Sequence, residues 1–359
     1  MAIIDRLSVA NVLQPIDPPD IGLILKEHAR MTSQYPFSDD DVQKAFDQLS
    51  VTLFDVQRDF DPDDHQLPSP KILIVAGAQG SGKTFLLEKN LLPSGAYENY
   101  VRLYLPAFRE LHPSYAQMQA QGVLHVYEHT EKFIWALGEK VFAYAFANKY
   151  NIIMESALDN IEFARFPPAA TAAGYRFEVH MIACQKELSH WATLDRVVKS
   201  IATSELERVV SLTQIEEAQF NAKAILDAFE NACTQVPGSE ITLYQRDLPT
   251  NMERQVLCHS TCDSYAELTP QADFKGQPFA QVPHLGVKFG ILRNAQANSP
   301  CAYLQYAQVV HAGLISEAVR QKMVQKCCAT LAKAHPLMPA IPAEVFRALS
   351  MYVLKYVHP

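Results

Sequence analysis

The sequence predicts an α/β fold in which a mainly parallel sheet has helices on both faces and mostly helical extensions at its two ends. Two observations support this prediction. Short apolar runs alternate with amphipathic segments: "KILIVAG", "YVRLYLP", "YNIIMES", "RFEVHMIA" and "EITLYQRD". Runs of this length are typical of parallel strands buried on both faces. A loop of small residues also follows the first run and leads directly into the amphipathic "TFLLEKNLL".

A chain of 359 residues is longer than one ordinary core organises, so we expect a central domain with additions. We divide it into an N-terminal helical extension and linker (1–66), a central domain (67–250) and a mostly helical C-terminal extension of unknown role (251–359). Two helical patterns precede the linker "DPDDHQLPSP": "IGLILKEHARMTSQ" and "SDDDVQKAFDQLSVTLFDVQRDF". The second opens with Ser38, a typical N-cap residue.

Charge and hydropathy exclude several partner classes. The formal net charge is -8, whereas nucleic-acid surfaces need clustered Lys and Arg, so we expect no nucleic-acid partner. The chain begins without a Sec-type signal peptide and contains no apolar run of 18 residues, so we expect no membrane partner. Seven scattered cysteines indicate reduced thiols. We therefore expect a cytoplasmic protein.

The loop after the first run fits the pattern G-x-x-x-x-G-K-[ST]. Its glycines allow the backbone to wrap closely around a polyphosphate, and the following helix adds the positive end of its dipole. Lys83 would reach the β and γ phosphates of ATP, and the Thr84 hydroxyl would bind Mg²⁺. The predicted nucleotide-binding residues are Gly77, Gln79, Gly80, Ser81, Gly82, Lys83 and Thr84.

The remaining sequence narrows the class of nucleotide-binding protein. A GTPase would need the guanine-reading N-K-x-D, which is absent. Many ATPases need an acidic Walker B motif followed by sensor or signature elements, and "NIIMES" supplies only Glu155. Small-molecule kinases have a P-loop, an acceptor site after the second strand and a lid bearing arginines. Residues 101–208 have this layout.

Five segments that follow the P-loop in order carry a family resemblance. They are "FRELHPSY", "YEHTEKF", "YNIIMESAL", "FEVHMIACQKELSHWATLDR" and "ITLYQRD". From about Lys71 to Asp247 the sequence resembles the zeta toxin family, P-loop kinases that phosphorylate UDP-activated amino sugars such as UDP-N-acetylglucosamine. Related members act on other nucleotide-like substrates. The resemblance implies a kinase domain at 67–250 that uses ATP and Mg²⁺.

The resemblance also implies roles for individual residues. Arg196 matches the first lid arginine, which neutralises charge on the transferring phosphoryl group. Arg208 is the candidate for the second, although another alignment places Ser211 there. Glu128 and Glu155 match acidic positions of the acceptor pocket. The acceptor-side motif is matched by Arg109 and His112.

Three departures lie on the acceptor side. Pro106 occupies the position of the family's catalytic Asp, the base that takes the proton from the acceptor hydroxyl. Tyr104 replaces a second acid, and Ala157 replaces a threonine that touches the substrate. A replacement base could be Glu155, Asp159 or Glu128, and a carboxylate that ends a buried strand is the best placed of these. Glu155 is therefore the favoured base.

Two hypotheses follow. The first is a kinase that phosphorylates a nucleotide sugar or dinucleotide, acting as a toxin or as an effector delivered to a host cell, with an antitoxin or chaperone as partner. The second is a catalytically impaired ATP-binding module that acts through protein partners. ATP consumption that depends on an added small molecule distinguishes them, because the first hypothesis requires it and the second forbids it.

Overall fold

A computed structural model of the protein describes residues 34–103, 106–203, 209–248, 254–280, 302–312 and 316–357. In this part of the chain, seven strands form one sheet in the order β2-β3-β1-β4-β5-β6-β7. The strands are β1 (Lys71–Ala76), β2 (Tyr100–Arg102), β3 (Asn151–Ser156), β4 (Arg176–Cys184), β5 (Glu240–Arg246), β6 (Arg254–Thr261) and β7 (Thr269–Pro270). A separate hairpin pairs β8 (Asp273–Phe274) with β9 (Gln277–Pro278).

The first five strands are parallel, and β6 and β7 continue the sheet in the antiparallel sense. Strand β1 lies between β3 and β4, and its residues 72–76 are fully buried. The α/β prediction is confirmed. The segment after β1 therefore emerges at the middle of the carboxyl edge of the sheet, where ligands of such folds bind.

The described helices surround this sheet. They are α1 (Asp39–Leu53), α2 (Lys83–Leu86), α3 (Tyr115–Gln119), α4 (Val123–Ala147), α5 (Phe166–Ala172), α6 (Lys186–Thr203), α7 (Leu212–Cys233), α8 (Ala302–Val310), α9 (Glu317–Ala334) and α10 (Ala343–Val357). A π-helix (Leu87–Leu91) continues α2, and 3₁₀ helices cover Leu92–Ser94, Pro106–Leu111, Ile161–Arg165 and His335–Leu337. None of the described helices has both the length and the apolar character needed to cross a bilayer.

The structure can be compared with the predicted N-terminal helices and with the predicted domain boundary near residue 250. The helix predicted from Ser38 is α1, and the Ser38 side chain accepts from the backbone N–H of Asp41 in a capping box. The other N-terminal pattern, 21–34, lies almost entirely outside the described residues. At the other boundary, β6 and β7 belong to the sheet although the sequence division assigns them to the C-terminal extension.

The C-terminal helices α9 and α10 pack against α6 in a core of their own, which includes Leu188, Leu194, Val198, Met323, Cys327, Val345 and Leu349. Buried polar contacts add to this packing. The Trp191 indole donates to Thr330 Oγ1 at 3.2 Å, and Thr330 donates to Asp195 Oδ1 at 2.9 Å. His190 Nδ1 lies 2.7 Å from the Tyr352 hydroxyl. The C-terminal region therefore fixes α6, the helix that borders the P-loop.

Candidate nucleotide-binding site

The P-loop connects β1 to α2 and contains three glycines with positive φ angles, Gly77, Gly80 and Gly82. Gly80 has φ +76°, and a Cβ there would lie 2.1 Å from the carbonyl oxygen of Ser189 on α6. Gly82 has φ +101°, and a Cβ there would lie 2.2 Å from Arg254 Nη2. A side chain at either position would be strained by the positive φ, and at Gly80 it would also clash with the α6 backbone, so glycine is strongly favoured at both. The loop is thus packed tightly against α6 and β6.

Lys83 lies within the curve of this loop. Its Nζ donates to the carbonyl oxygens of Gly77 and Ala78, at 2.7 and 3.2 Å. The Ser81 hydroxyl is fully buried and has no hydrogen-bond partner among the described residues. A cationic amine and a buried hydroxyl in a glycine-rich concavity are the groups expected of a phosphate-binding loop.

Glu155, the acid predicted from the end of β3, lies beside the P-loop threonine. The Thr84 hydroxyl donates to Glu155 Oε2 at 3.2 Å. A hydroxyl next to a carboxylate fits Mg²⁺, which prefers oxygen ligands and takes one or two from protein and the rest from water and phosphates. The described residues contain no cluster of three or more His, Cys, Asp or Glu side chains arranged for a metal. Thr84 and Glu155 are residues that could hold Mg²⁺.

A second predicted acid is also brought to the loop. Asp159 is exposed just beyond β3, and its Oδ2 accepts from Gln79 Nε2 at 3.2 Å. Both Glu155 and Asp159 thus border the P-loop, on the side of the sheet where β3 ends. Glu128 differs from them, because it lies on the exposed face of α4.

The predicted lid begins on α6. Ser189 and Thr193 of this helix lie against Gly80, and Arg196 follows Thr193 by three residues, which places it one turn further on the same side. The Arg196 side chain is exposed. Arg208 lies outside the described residues.

Arg109 is buried in the 3₁₀ helix Pro106–Leu111 that follows β2, with only 1% of its surface exposed. It donates to Thr130 Oγ1 at 2.6 Å and to Glu131 Oε1 at 2.5 Å, and its guanidinium carbon lies 4.1 Å from the centre of the Tyr127 ring. The structure therefore joins two of the matched segments, "FRELHPSY" and "YEHTEKF", through Arg109.

His112 is also buried. Its Nδ1 accepts from the backbone N–H of Ser114 at 3.0 Å, and its ring packs edge-on against Phe37 and Phe133. Burial lowers the pKa of His112, and the nearby Asp41 carboxylate offsets part of that change. These contacts are those of a packed, neutral imidazole.

Two arginines that the sequence analysis did not single out contact the P-loop from the opposite side to Glu155. Arg246, which ends β5, donates through Nη1 to the carbonyl oxygen of Gly80. Arg254, which begins β6, donates through Nη2 to the carbonyl oxygen of Gly82 at 3.4 Å. Arg246 could have been noticed as a charge at the end of the predicted strand "EITLYQRD". Arg254 carries no such signal, since it lies beyond the predicted domain boundary.

Comparisons with known proteins place the chain in a family. The zeta toxin family profile matches residues 56–255, more than half of the chain. No curated protein matches.

Similar solved structures include a chain of the PezAT chromosomal toxin–antitoxin system of Streptococcus pneumoniae, with 20% identity, 61% of this chain and 82% of that chain covered, and a TM-score of 0.46. They also include a chain of the native AvrRxo1-ORF1:-ORF2 complex, with 12% identity, 87% of each chain covered and a TM-score of 0.48. The same complex with ATP gives 10% identity, 93% and 90% coverage, and a TM-score of 0.47. The profile match shows that the chain belongs to the zeta toxin family, whose members are toxin-type kinases that use ATP.

Proposed function

We propose that this chain transfers the γ-phosphate of ATP to a hydroxyl group of a nucleotide sugar or a related nucleotide-like acceptor. The observation that carries the proposal is the contact between Thr84 and Glu155 beside a P-loop that already encloses Lys83. Phosphoryl transfer depends mainly on positioning and on neutralising phosphate charge. A P-loop positions the phosphates, and its lysine, together with Mg²⁺ held beside an adjacent acid, would neutralise their charge.

The donor side would act through three groups. The Lys83 amine would leave the carbonyl oxygens of Gly77 and Ala78 for the β and γ phosphates, which bind an ammonium more strongly because they are charged. Thr84 and Glu155 would hold Mg²⁺, which when bound neutralises charge on the same phosphates. Arg196 and Arg208 would be the lid arginines that complete this charge neutralisation.

The proton of the acceptor hydroxyl needs a base, because Pro106 stands at the position of the family's Asp. In the proposed reaction, the acceptor oxygen attacks the γ-phosphorus, the bond to the β–γ bridging oxygen breaks, ADP leaves, and a carboxylate takes the proton. Glu155 is the favoured base. A carboxylate has two oxygens, so Oε2, beside Thr84, would hold Mg²⁺ and Oε1 would take the proton. Asp159 and Glu128 are the alternatives.

The acceptor would bind next to the segment Pro106–Leu111. The buried contacts of Arg109 favour a role in shaping this segment through α4, and the packing of His112 favours the same kind of role. Glu128 is exposed, so its side chain would be accessible to the acceptor. We further propose that the chain acts as a cytoplasmic toxin or delivered effector, with an antitoxin or chaperone as its protein partner.

The test is transfer of radiolabelled γ-phosphate from ATP, with Mg²⁺, into nucleotide sugars, dinucleotides and a deproteinised cell extract. The Lys83→Ala variant is the control, because Lys83 lies on the P-loop and is not part of the core. A labelled small molecule produced only by the wild type supports the kinase and identifies its acceptor. Equal labelling by both proteins contradicts the proposal.

A second candidate function is an ATP-binding module that has lost transfer and acts through protein partners. Pro106 favours it, because proline offers no proton acceptor at the position of the catalytic Asp. In the same experiment, this candidate predicts that ATP binds to the wild type and that no label moves to any acceptor.

A further inference from the structure

Arg246 and Arg254 stand directly opposite one another on neighbouring strands. They are register partners in the antiparallel pair of β5 and β6, at the end of the sheet that faces the P-loop. Like charges at directly opposed positions repel each other. Arg246 is only 5% exposed, which removes much of the screening by water.

Both guanidinium groups contact the loop at glycines with positive φ, Gly80 and Gly82. Arg246 donates to the carbonyl oxygen of Gly80, and Arg254 donates to that of Gly82. The Arg254 guanidinium also lies over the Phe85 ring, with its central carbon 3.9 Å from the ring centre. An arginine fork can donate to a carbonyl and stack on an aromatic ring at the same time, which an ammonium does less well.

The direction of these carbonyl groups matters for an anion. In a trans peptide, the C=O and the following N–H point in opposite directions. A cation that holds the Gly82 carbonyl on the outer side of the loop therefore keeps the Lys83 N–H at the exposed start of α2. The Gly82 oxygen also accepts from the Leu86 N–H at 3.1 Å, which confirms that it points along the helix and away from its start.

We propose that Arg246 and Arg254 are positioning residues for the polyphosphate of the nucleotide. They hold the carbonyl groups of Gly80 and Gly82 away from the phosphates, and together with Lys83 they make the loop strongly cationic. Burial first and then Arg246 lower the pKa of Arg254 to about 10, in agreement with two crowded cations that a bound anion would relieve. This inference rests on the proposed function.

Binding of Mg-ATP and of inorganic tripolyphosphate to the full chain, measured by calorimetry, tests the inference. Arg246→Gln and Arg254→Gln each remove one carbonyl contact, and we expect each to weaken both ligands by about tenfold or more. The factor should be the same for ATP and tripolyphosphate, because the arginines act on phosphate binding and not on the base.

Arg176→Gln is the matched control. Arg176 also donates from its Nη2 to a main-chain carbonyl, that of Ser69, at 3.0 Å, but at the amino end of β4, far from the P-loop. It should leave both affinities within about twofold of wild type, because distant residues that share no partners act independently. Arg254→Lys retains the positive charge but loses the planar guanidinium, so it should bind both ligands with an affinity between those of the wild type and Arg254→Gln. If a Gln variant does not fold, the affinity of Arg254→Lys tests the inference instead.

Unchanged affinity in folded Arg246→Gln and Arg254→Gln variants would overturn the inference. The inference would also be overturned if these variants lost ATP binding but bound tripolyphosphate like the wild type, because the arginines would then act on the nucleoside and not on the phosphates. If the wild type bound neither ligand, the proposed function would fail first, and that result is distinguishable because it does not depend on the arginine variants.

Discussion

The two sides of the predicted active site differ in what their residues contact. On the donor side, Thr84 contacts Glu155 and Gln79 contacts Asp159, so residues from separate elements meet at one point. On the acceptor side, Arg109 and His112 are bound to the scaffold around them. Residues of separate elements therefore meet beside the P-loop on the donor side, whereas the acceptor side is held by packing. Variants of the two sides should fail in different ways.

The largest effect is expected for Glu155→Gln, which keeps the shape of the side chain and removes its charge. As a base or as a holder of Mg²⁺, Glu155 should contribute about 10²- to 10⁴-fold to turnover. ATP affinity should change much less, since Lys83 and the loop backbone remain. Turnover with the acceptor identified by labelling, measured as a function of Mg²⁺ concentration, checks this prediction.

Glu128→Gln is the matched control for Glu155→Gln, because it makes the same chemical change at an exposed position on the acceptor side. We expect its effect to fall on the KM for the acceptor. If Glu155→Gln turned over like the wild type while Glu128→Gln lost turnover, the base would be Glu128 and the donor side would not supply it.

The next effect concerns stability. Arg109→Ala should lower the free energy of unfolding by about 2–3 kcal/mol, because it removes a buried side chain bonded to Thr130 and leaves the Glu131 carboxylate without its cation. The control is Arg102→Ala, which breaks a partly exposed ion pair with Glu88 at 2.7 Å and should cost at most about 1 kcal/mol. Urea unfolding of both variants gives the comparison. Equal losses would contradict the view that the acceptor side is held by packing.

The sequence predicts one side of the site better than the other for a physical reason. The strand β1, the P-loop and α2 are contiguous, so alternation, glycine positions and the lysine–threonine pair specify them together. The contact of Arg254 with Gly82 joins residues 172 positions apart and depends on the antiparallel pairing of β6. Nothing local to residue 254 indicates that pairing.

The acceptor side shows the same limit. The matched motifs "FRELHPSY" and "YEHTEKF" do meet, through Arg109 and Thr130, but the motif letters do not show that this arginine is buried. Likewise, His112 packs on Phe37, which lies outside the resemblance altogether. Burial is decided by the tertiary packing of distant residues, so a role inherited by position stays a prediction.

The smallest expected effect is a pH dependence carried by His112. Because burial lowers the pKa of His112 in the folded protein, the unfolded chain binds its proton first as the pH falls. The stabilising contribution of the neutral imidazole is therefore complete above the pKa of the unfolded chain, near 6.5, and is lost as the pH falls from there towards the lower folded pKa.

The variant His112→Asn tests this prediction, because its side chain keeps an acceptor for the Ser114 N–H and does not titrate. Urea unfolding between pH 7.5 and 5 should show a smaller loss of stability for this variant than for the wild type, by less than about 1.4 kcal/mol per pH unit. Parallel curves for the two proteins would mean that the His112 ring is hydrated and able to ionise, and hence available to an acceptor, which would remove the difference between the two sides at this residue.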